Sequence, residues 1–216
     1  LYLCTPFSRE ASDRLEEMGV SAYKIGSGEC NNLPLVEHIA KKGKPILLST
    51  GMNDMDSIKR TLDVIQKYDT PVLVNHCTSM YPTPYEHVRL GAIRQMIDTF
   101  QIPVGLSDHS IGIYTSLGAI ALGACAIEKH FTITREWPGP DVPISLEPSE
   151  LAELVKGARA IHTARGGFKD VLVEEQPVID FAYACVVAIK DIKSGDLFTL
   201  DNLWVKRPGT GELPAS

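Results

Sequence analysis

The 216-residue sequence predicts an α/β fold: a (β/α)8 barrel lacking its first two strand–helix units, followed by a linker and short strands. Three observations carry this expectation. First, six apolar runs of strand length, at residues 1–4, 22–25, 45–49, 72–76, 104–107 and 126–129, alternate with helical stretches at 9–18, 34–42, 56–68, 88–100, 113–122 and 147–164. Strict alternation at this spacing implies parallel strands joined by right-handed crossovers. Second, polar residues gather just beyond the ends of several different strands: Thr5; Ser27 and Glu29; Ser49 and Thr50; His76, Thr78 and Ser79; Ser107 and His109; Glu128 and His130. A barrel builds its site from all its strand ends, whereas an open doubly wound sheet uses mainly its switch point. Third, no G-x-G-x-x-G follows a strand, which counts against a dinucleotide-binding sheet. A barrel of eight strands then calls for two further units before Leu1.

The individual elements have local causes. Ser8 is placed to cap the first helix, and Pro34 sits in the first turn of the second. Ile58, Leu62 and Ile65 recur on one face of the third. After residue 166 the pattern changes. Residues 170–177 are charged and irregular and read as a linker; 185–189 and 203–205 read as strands around a Lys193-Ser194-Gly195-Asp196 turn, and 206–211 as a loop. The expected domains are 1–168 and 169–216.

Composition narrows the function classes. A hydrophobic content of 44% with 22% charged residues suits a globular protein, and a net charge of -6 without a Lys/Arg stripe argues against nucleic acid. Five cysteines, odd in number and without a C-x-x-C, point to reduced, cytoplasmic chemistry, four of them as core filler near strands. No apolar run reaches membrane-spanning length.

The chemistry-bearing motifs lie at strand ends. His109 and His130 close two consecutive strands, and with Asp108 and Glu128 beside them they suit a divalent metal with open coordination positions. Lys24-Ile25-Gly26-Ser27-Gly28-Glu29 offers a cation and unhindered N–H groups to a phosphate or carboxylate, with Glu29 for proton handling; the alternative is a tight turn with Lys24 snorkelling. Ser49-Thr50-Gly51-Met52 repeats the theme. In His76-Cys77-Thr78-Ser79-Met80-Tyr81-Pro82, His76 is either a donor at the site or a histidine satisfied in the core. Asp141 lies in a long loop suited to sugar hydroxyls or to capping a turn. Ser107, Asp108 and His109 cannot form a nucleophilic relay, because consecutive strand residues point to opposite faces.

Residues 24–29, 49–52, 76–84, 107–109, 128–132 and 139–141 fall in the order and spacing of the sialic acid synthase family, and 23–32 and 81–91 resemble its bacterial N-acetylneuraminate synthases. The resemblance implies a metal-dependent condensation of phosphoenolpyruvate with an N-acetylated hexosamine, releasing phosphate. It implies a (β/α)8 barrel followed by an antifreeze-like (SAF) domain, with residues 169–216 only leading into that domain, and a domain-swapped homodimer. By resemblance, His109 and His130 hold the metal, Mn2+ with Mg2+ or Co2+ as alternatives. Thr5, Lys24, Ser27, Ser49, Ser79 and Ser107 match the phosphoenolpyruvate contacts, Ser79 standing where bacterial relatives often carry Asn. Glu29, Tyr81 and Asp141 match the sugar contacts, and Glu29 and Glu128 the groups that move protons. N-acetylmannosamine is the expected sugar, a 2,4-diacetamido-trideoxy hexose (giving legionaminate) the alternative. Two rivals remain: an aldolase making a 3-deoxy-ulosonate 8-phosphate from an unaminated sugar phosphate, and a degenerate barrel acting as a scaffold. Residues 1–216 alone are expected to be inactive, since an open barrel leaves strand edges unpaired.

Overall fold

The computed structural model describes residues 1–208 and 211–214. The chain divides into two compact units, Leu1–Gly166 and Gly167–Ser216.

In the first unit, α1 (Arg9–Glu17) starts where the Ser8 hydroxyl accepts the Ala11 N–H at 3.1 Å. Then follow β1 (Tyr23–Ile25), α2 (Leu33–Ala40), β2 (Ile46–Ser49), α3 (Met55–Gln66) and β3 (Val72–Cys77). The expected helix at 88–100 is two pieces, α4 (Tyr85–Val88) and α5 (Gly91–Phe100), because Arg89 adopts a left-handed φ of 53° between them. β4 (Val104–Asp108), α6 (Tyr114–Ala121), β5 (Ile127–Lys129) and α7 (Pro148–Ala164) complete the unit. At the start of α7 the Glu150 carboxylate accepts the Glu147 N–H at 2.9 Å, one half of a capping box.

The five strands form one parallel sheet in the order β1-β2-β3-β4-β5. The expected strand at residues 1–4 is not formed. One backbone bond, from Lys24 N–H to the Cys4 carbonyl at 3.3 Å, holds this segment beside β1. Leu1 is 99% exposed and Tyr2 62%, so no burial offsets the entropy of ordering them. At the other edge, Phe131 and Leu146 form an isolated parallel bridge beyond β5.

Alternation along the strands sorts residues between two faces. Tyr23, Ile25, Ile46, Leu48, Val74, Val104 and Leu106 join Val36, Ile39, Ile58, Leu62, Ile65, Ile93, Met96 and Ala119 of the helices in one buried core. The alternate residues Lys24, Ser49, Asn75, Cys77, Ser107 and Glu128 therefore take the other face. The sheet is curled around that face. Laid flat, four strand spacings of about 4.8 Å would part β1 from β5 by roughly 19 Å. Yet Lys24 Nζ of β1 lies 2.8 Å from Glu128 Oε2 of β5, which two side chains reach only across a concave surface.

The second unit contains a 3-10 turn (Val173–Glu175), α8 (Gln176–Ala182), and β6 (Cys185–Ala188) paired antiparallel with β7 (Leu203–Lys206). Helix α8 occupies part of the span expected to be an irregular linker. Pro177 stands in its first turn, where a missing N–H costs no helical bond. The turn at 193–196 forms, with Asp196 N–H bonded to the Lys193 carbonyl at 3.0 Å. Within the terminal loop expected at 206–211, Gly209 and Thr210 lie outside the described residues.

Candidate active site on the concave face

The concave face gathers most of the polar residues singled out at the strand ends. Lys24 and Glu128 form its centre: the ammonium lies 2.9 Å from Glu128 Oε1 and 2.8 Å from Oε2. The Ser107 hydroxyl donates to Oε1 at 2.7 Å. Burial alone would raise the Glu128 pKa, but the Lys24 charge and hydrogen bond, then the Ser107 hydroxyl, outweigh it and hold the carboxyl below its usual range. The concave face thus carries an ionised carboxylate and a cation paired with it.

Two residues further toward the strand tips stand the imidazoles. The His109 and His130 ring centroids lie 5.4 Å apart. Tyr81 stacks on His109 at 4.1 Å and meets His130 edge-on at 6.0 Å. Asp141 Oδ2 comes within 3.8 Å of His130 Nδ1. Ser107, His109, Glu128 and His130 line a small cavity of about 170 Å³.

A second cluster adjoins the first. The Ser27 hydroxyl accepts the Gly51 N–H at 2.9 Å. A Cβ at Gly51 would fall 2.2 Å from Ser79 Oγ, 2.9 Å from Ser27 Oγ and 3.2 Å from Cys77 Sγ. Three heteroatoms therefore converge over Gly51 only because it has no side chain. Cys77 Sγ in turn lies 3.9 Å from His109 Nδ1, so this cysteine is part of the site rather than core filler. Cys125 is not core filler either, being exposed.

Other expected residues stand apart or differ in role. Glu29 accepts a hydrogen bond from Asn32 Nδ2 at 2.6 Å, beside the start of α2, and no contact joins it to Lys24 or Glu128. The Thr5 methyl lies 3.5 Å from where a Cβ of Gly26 would stand. His76 faces the helices, its Nε2 2.7 Å from the Val88 carbonyl, and is satisfied there. Asp108, expected beside the metal, points to the opposite face from His109 and pairs with Lys129 at 3.2 Å, the two side chains 0% and 3% exposed. Burial alone would raise its pKa, but the hydroxyl of Ser116, the charge of Lys129 and the hydroxyl of Thr115 keep it ionised below its usual range. Removing one partner would leave a buried unpaired charge, costing about 3–5 kcal/mol.

Two residues on this face carry unsatisfied atoms. Ser49 Oγ and Asn75 Oδ1 are buried without a hydrogen-bond partner, and the two residues are register neighbours on β2 and β3. Sequence reasoning overlooked Asn75. A polar residue within the apolar strand, two positions before Cys77 and hence on the same face, was the available signal.

Whether a metal fits is decided by the donors. His109 Nδ1 lies 3.0 Å from the Thr78 carbonyl, which can only accept, so in the neutral imidazole Nδ1 carries the proton and Nε2 keeps its lone pair. Among the described residues no group of three or more His, Cys, Asp and Glu side chains is gathered as a metal cage. Two imidazoles with open positions beside them fit a catalytic rather than a structural ion, which would take each ring in its neutral form.

Comparison with known proteins gives this geometry a family. Residues 1–170 match the NeuB family and residues 183–216 the SAF domain, so β6 and β7 fall within the matched SAF segment rather than ahead of it. The chain is 45% identical to the N,N'-diacetyllegionaminic acid synthase of Campylobacter jejuni, over 97% of this chain and 64% of that protein. It is 39% identical to the human N-acetylneuraminate-9-phosphate synthase, over 91% of this chain and 55% of that protein. The solved N-acetylneuraminic acid (sialic acid) synthetase of Leptospira borgpetersenii, in complex with citrate, superposes with a TM-score of 0.77 at 37% identity, covering 81% of this chain and 62% of that one. The chain thus spans less than two thirds of each relative's length. With a curled parallel sheet, its polar face and these matches in agreement, the chain belongs to the NeuB family.

Proposed function

We propose that a protein carrying this chain condenses phosphoenolpyruvate with an acylated amino hexose and releases phosphate, making a nonulosonic acid. The observation that carries the reading is the joining of Lys24, Glu128 and Ser107 on the concave face, two residues along the strands from the His109–His130 pair. In this reading the sheet is part of a (β/α)8 barrel closed by further strands, the SAF segment belongs to a domain exchanged within a homodimer, and the enzyme works in the cytoplasm.

The residues divide the task. Lys24, with Ser27, Ser49, Ser79, Ser107 and Thr5, binds the phosphate and carboxylate of phosphoenolpyruvate by charge-assisted hydrogen bonds. An arriving dianion competes with Glu128 for the Lys24 ammonium, which frees the carboxylate to face the reacting carbons. The nucleophile is the methylene carbon of phosphoenolpyruvate and the electrophile the open-chain sugar aldehyde. Their bond leaves positive charge on the adjacent carbon, where the ionised Glu128 stabilises it. Water adds to that carbon and Glu128 takes its proton, which passes to the sugar oxygen left anionic by the new C–C bond. The adduct's hydroxyl then becomes the ketone carbonyl, its proton leaving with the phosphate as the C–O bond breaks. Tyr81 and Asp141 border the histidines where the sugar would lie, and Glu29 reaches the sugar only by leaving Asn32. His109 and His130 would hold Mn2+, with Mg2+ or Co2+ as alternatives, which when bound supplies Lewis acidity for the aldehyde oxygen.

Ser49 and Asn75 fit the same reading. Their orphaned atoms gain partners when a ligand arrives and the side chains turn toward it. Asn75→Leu is therefore expected to raise the melting temperature by several degrees, since an unsatisfied buried polar group costs about 1–3 kcal/mol. It should also weaken phosphoenolpyruvate binding. Calorimetric melting with and without phosphoenolpyruvate reads both effects.

Identity to the C. jejuni synthase favours a second sugar, a 2,4-diacetamido-trideoxy hexose, beside N-acetylmannosamine. Phosphate release by the complete protein, with Mn2+ and each sugar in turn, separates them. Turnover with the diacetamido sugar alone would make the product a legionaminate. Turnover only with an unaminated sugar phosphate would replace this reading by the 3-deoxy-ulosonate aldolase, and binding without turnover would favour a scaffold.

A further inference from the structure

β4 ends at Asp108 and β5 at Lys129, and the two are register partners. Each is the last residue before an imidazole, so the ladder stops at the step that sets the spacing of His109 and His130. On the helix-facing side that step is tied by side chains. Lys129 Nζ lies 3.2 Å from Asp108 Oδ2. The same oxygen accepts the hydroxyls of Thr115 at 2.7 Å and Ser116 at 2.6 Å, both on α6. Asp108 Oδ1 accepts the Ser110 N–H at 2.9 Å, and Lys129 donates to the Ser110 carbonyl. Both backbone groups of Ser110 are thereby fixed, one by the residue before His109 and one by the residue before His130.

We propose that Asp108 and Lys129 are positioning residues: a buried ion pair on one face of the sheet that sets the separation and aim of the two metal-binding histidines on the other. The inference rests on the reading of His109 and His130 as the metal pair. Directional bonds to Ser110 are what the pair provides beyond burial. Apolar residues of similar volume replace a buried ion pair without loss of fold, but they form no such bonds.

The test is the double variant Asp108→Leu/Lys129→Met in the complete protein, which removes both charges together. Its readouts are calorimetric titration with Mn2+ alone and the melting temperature. The expected result is a folded protein whose melting temperature falls by several degrees, because Ser110, Thr115 and Ser116 lose buried partners, and which binds Mn2+ about 10- to 100-fold more weakly, the range for groups that orient metal ligands. Parent-like Mn2+ affinity in the double variant overturns the positioning role and leaves the metal pair standing. No Mn2+ binding by the parent overturns the metal pair and this inference with it. Should the double variant fail to fold, Thr115→Val/Ser116→Ala decides. It keeps both charges but frees Asp108 from α6: several-fold weaker Mn2+ binding supports the proposal, and unchanged binding overturns it.

Discussion

Lys24→Met in the complete protein is expected to lower kcat/KM for phosphoenolpyruvate by about 10²- to 10³-fold, the scale for losing one preorganised electrostatic partner at a reacting centre. Two consequences of the structure combine here. The proposed substrate anion loses its partly buried cation, and Glu128 loses the counter-charge that holds it ionised. Burial then favours the neutral carboxylic acid, which can neither stabilise a developing cation nor take a proton from water. Lys24→Arg keeps the charge but changes its shape, and should recover only part of the loss. Steady-state kinetics check both variants. A Lys24→Met enzyme within tenfold of the parent would remove Lys24 from the centre of the site.

The second large effect is expected at the histidines. His109→Ala and His130→Ala should each weaken Mn2+ binding by more than about 100-fold, beyond the range for residues that merely orient a ligand. Turnover should fall in parallel. His109 is the more constrained of the two, its Nδ1 3.0 Å from the Thr78 carbonyl, whereas the contact of His130 with Asp141 is looser at 3.8 Å. Added imidazole should therefore recover less activity in the His109 variant. Titration with Mn2+ and activity with imidazole measure the two effects separately.

Alternation made much of this site legible in the sequence. Lys24, Ser49, Ser107, Glu128 and the two histidines each occupy strand-end positions of the parity that turns them to one face, and the apolar residues between them mark the other. The same parity rule assigns Asp108 to the helices, yet the titratable chemistry of Ser107-Asp108-His109 read as a single cluster. Only the structure shows Lys129 opposite Asp108 as its partner. His76 shows the same confusion, with a chemically suggestive side chain satisfied by a carbonyl twelve residues away. Cys77 looked like apolar filler because nothing local reveals that Gly51, on the neighbouring strand's loop, leaves room for it beside Ser27 and Ser79. The strand expected at residues 1–4 had a suitable composition, but a strand forms only where a neighbour takes its hydrogen bonds, and only Cys4 found one. Helix α8 was hidden by its charged flank, residues 170–177, whose composition reads as irregular and which takes in only its first two residues.

The proposed reaction forms a C–C bond between phosphoenolpyruvate and an acylamino sugar and releases phosphate by C–O cleavage. It is tested most directly with phosphoenolpyruvate carrying 18O in the bridging position, incubated with the complete protein, Mn2+ and either N-acetylmannosamine or the 2,4-diacetamido sugar. One phosphate is expected per nonulosonic acid formed, with the label in the phosphate and none released when the sugar is omitted. Label retained in the organic product, or phosphate released equally without sugar, would contradict it.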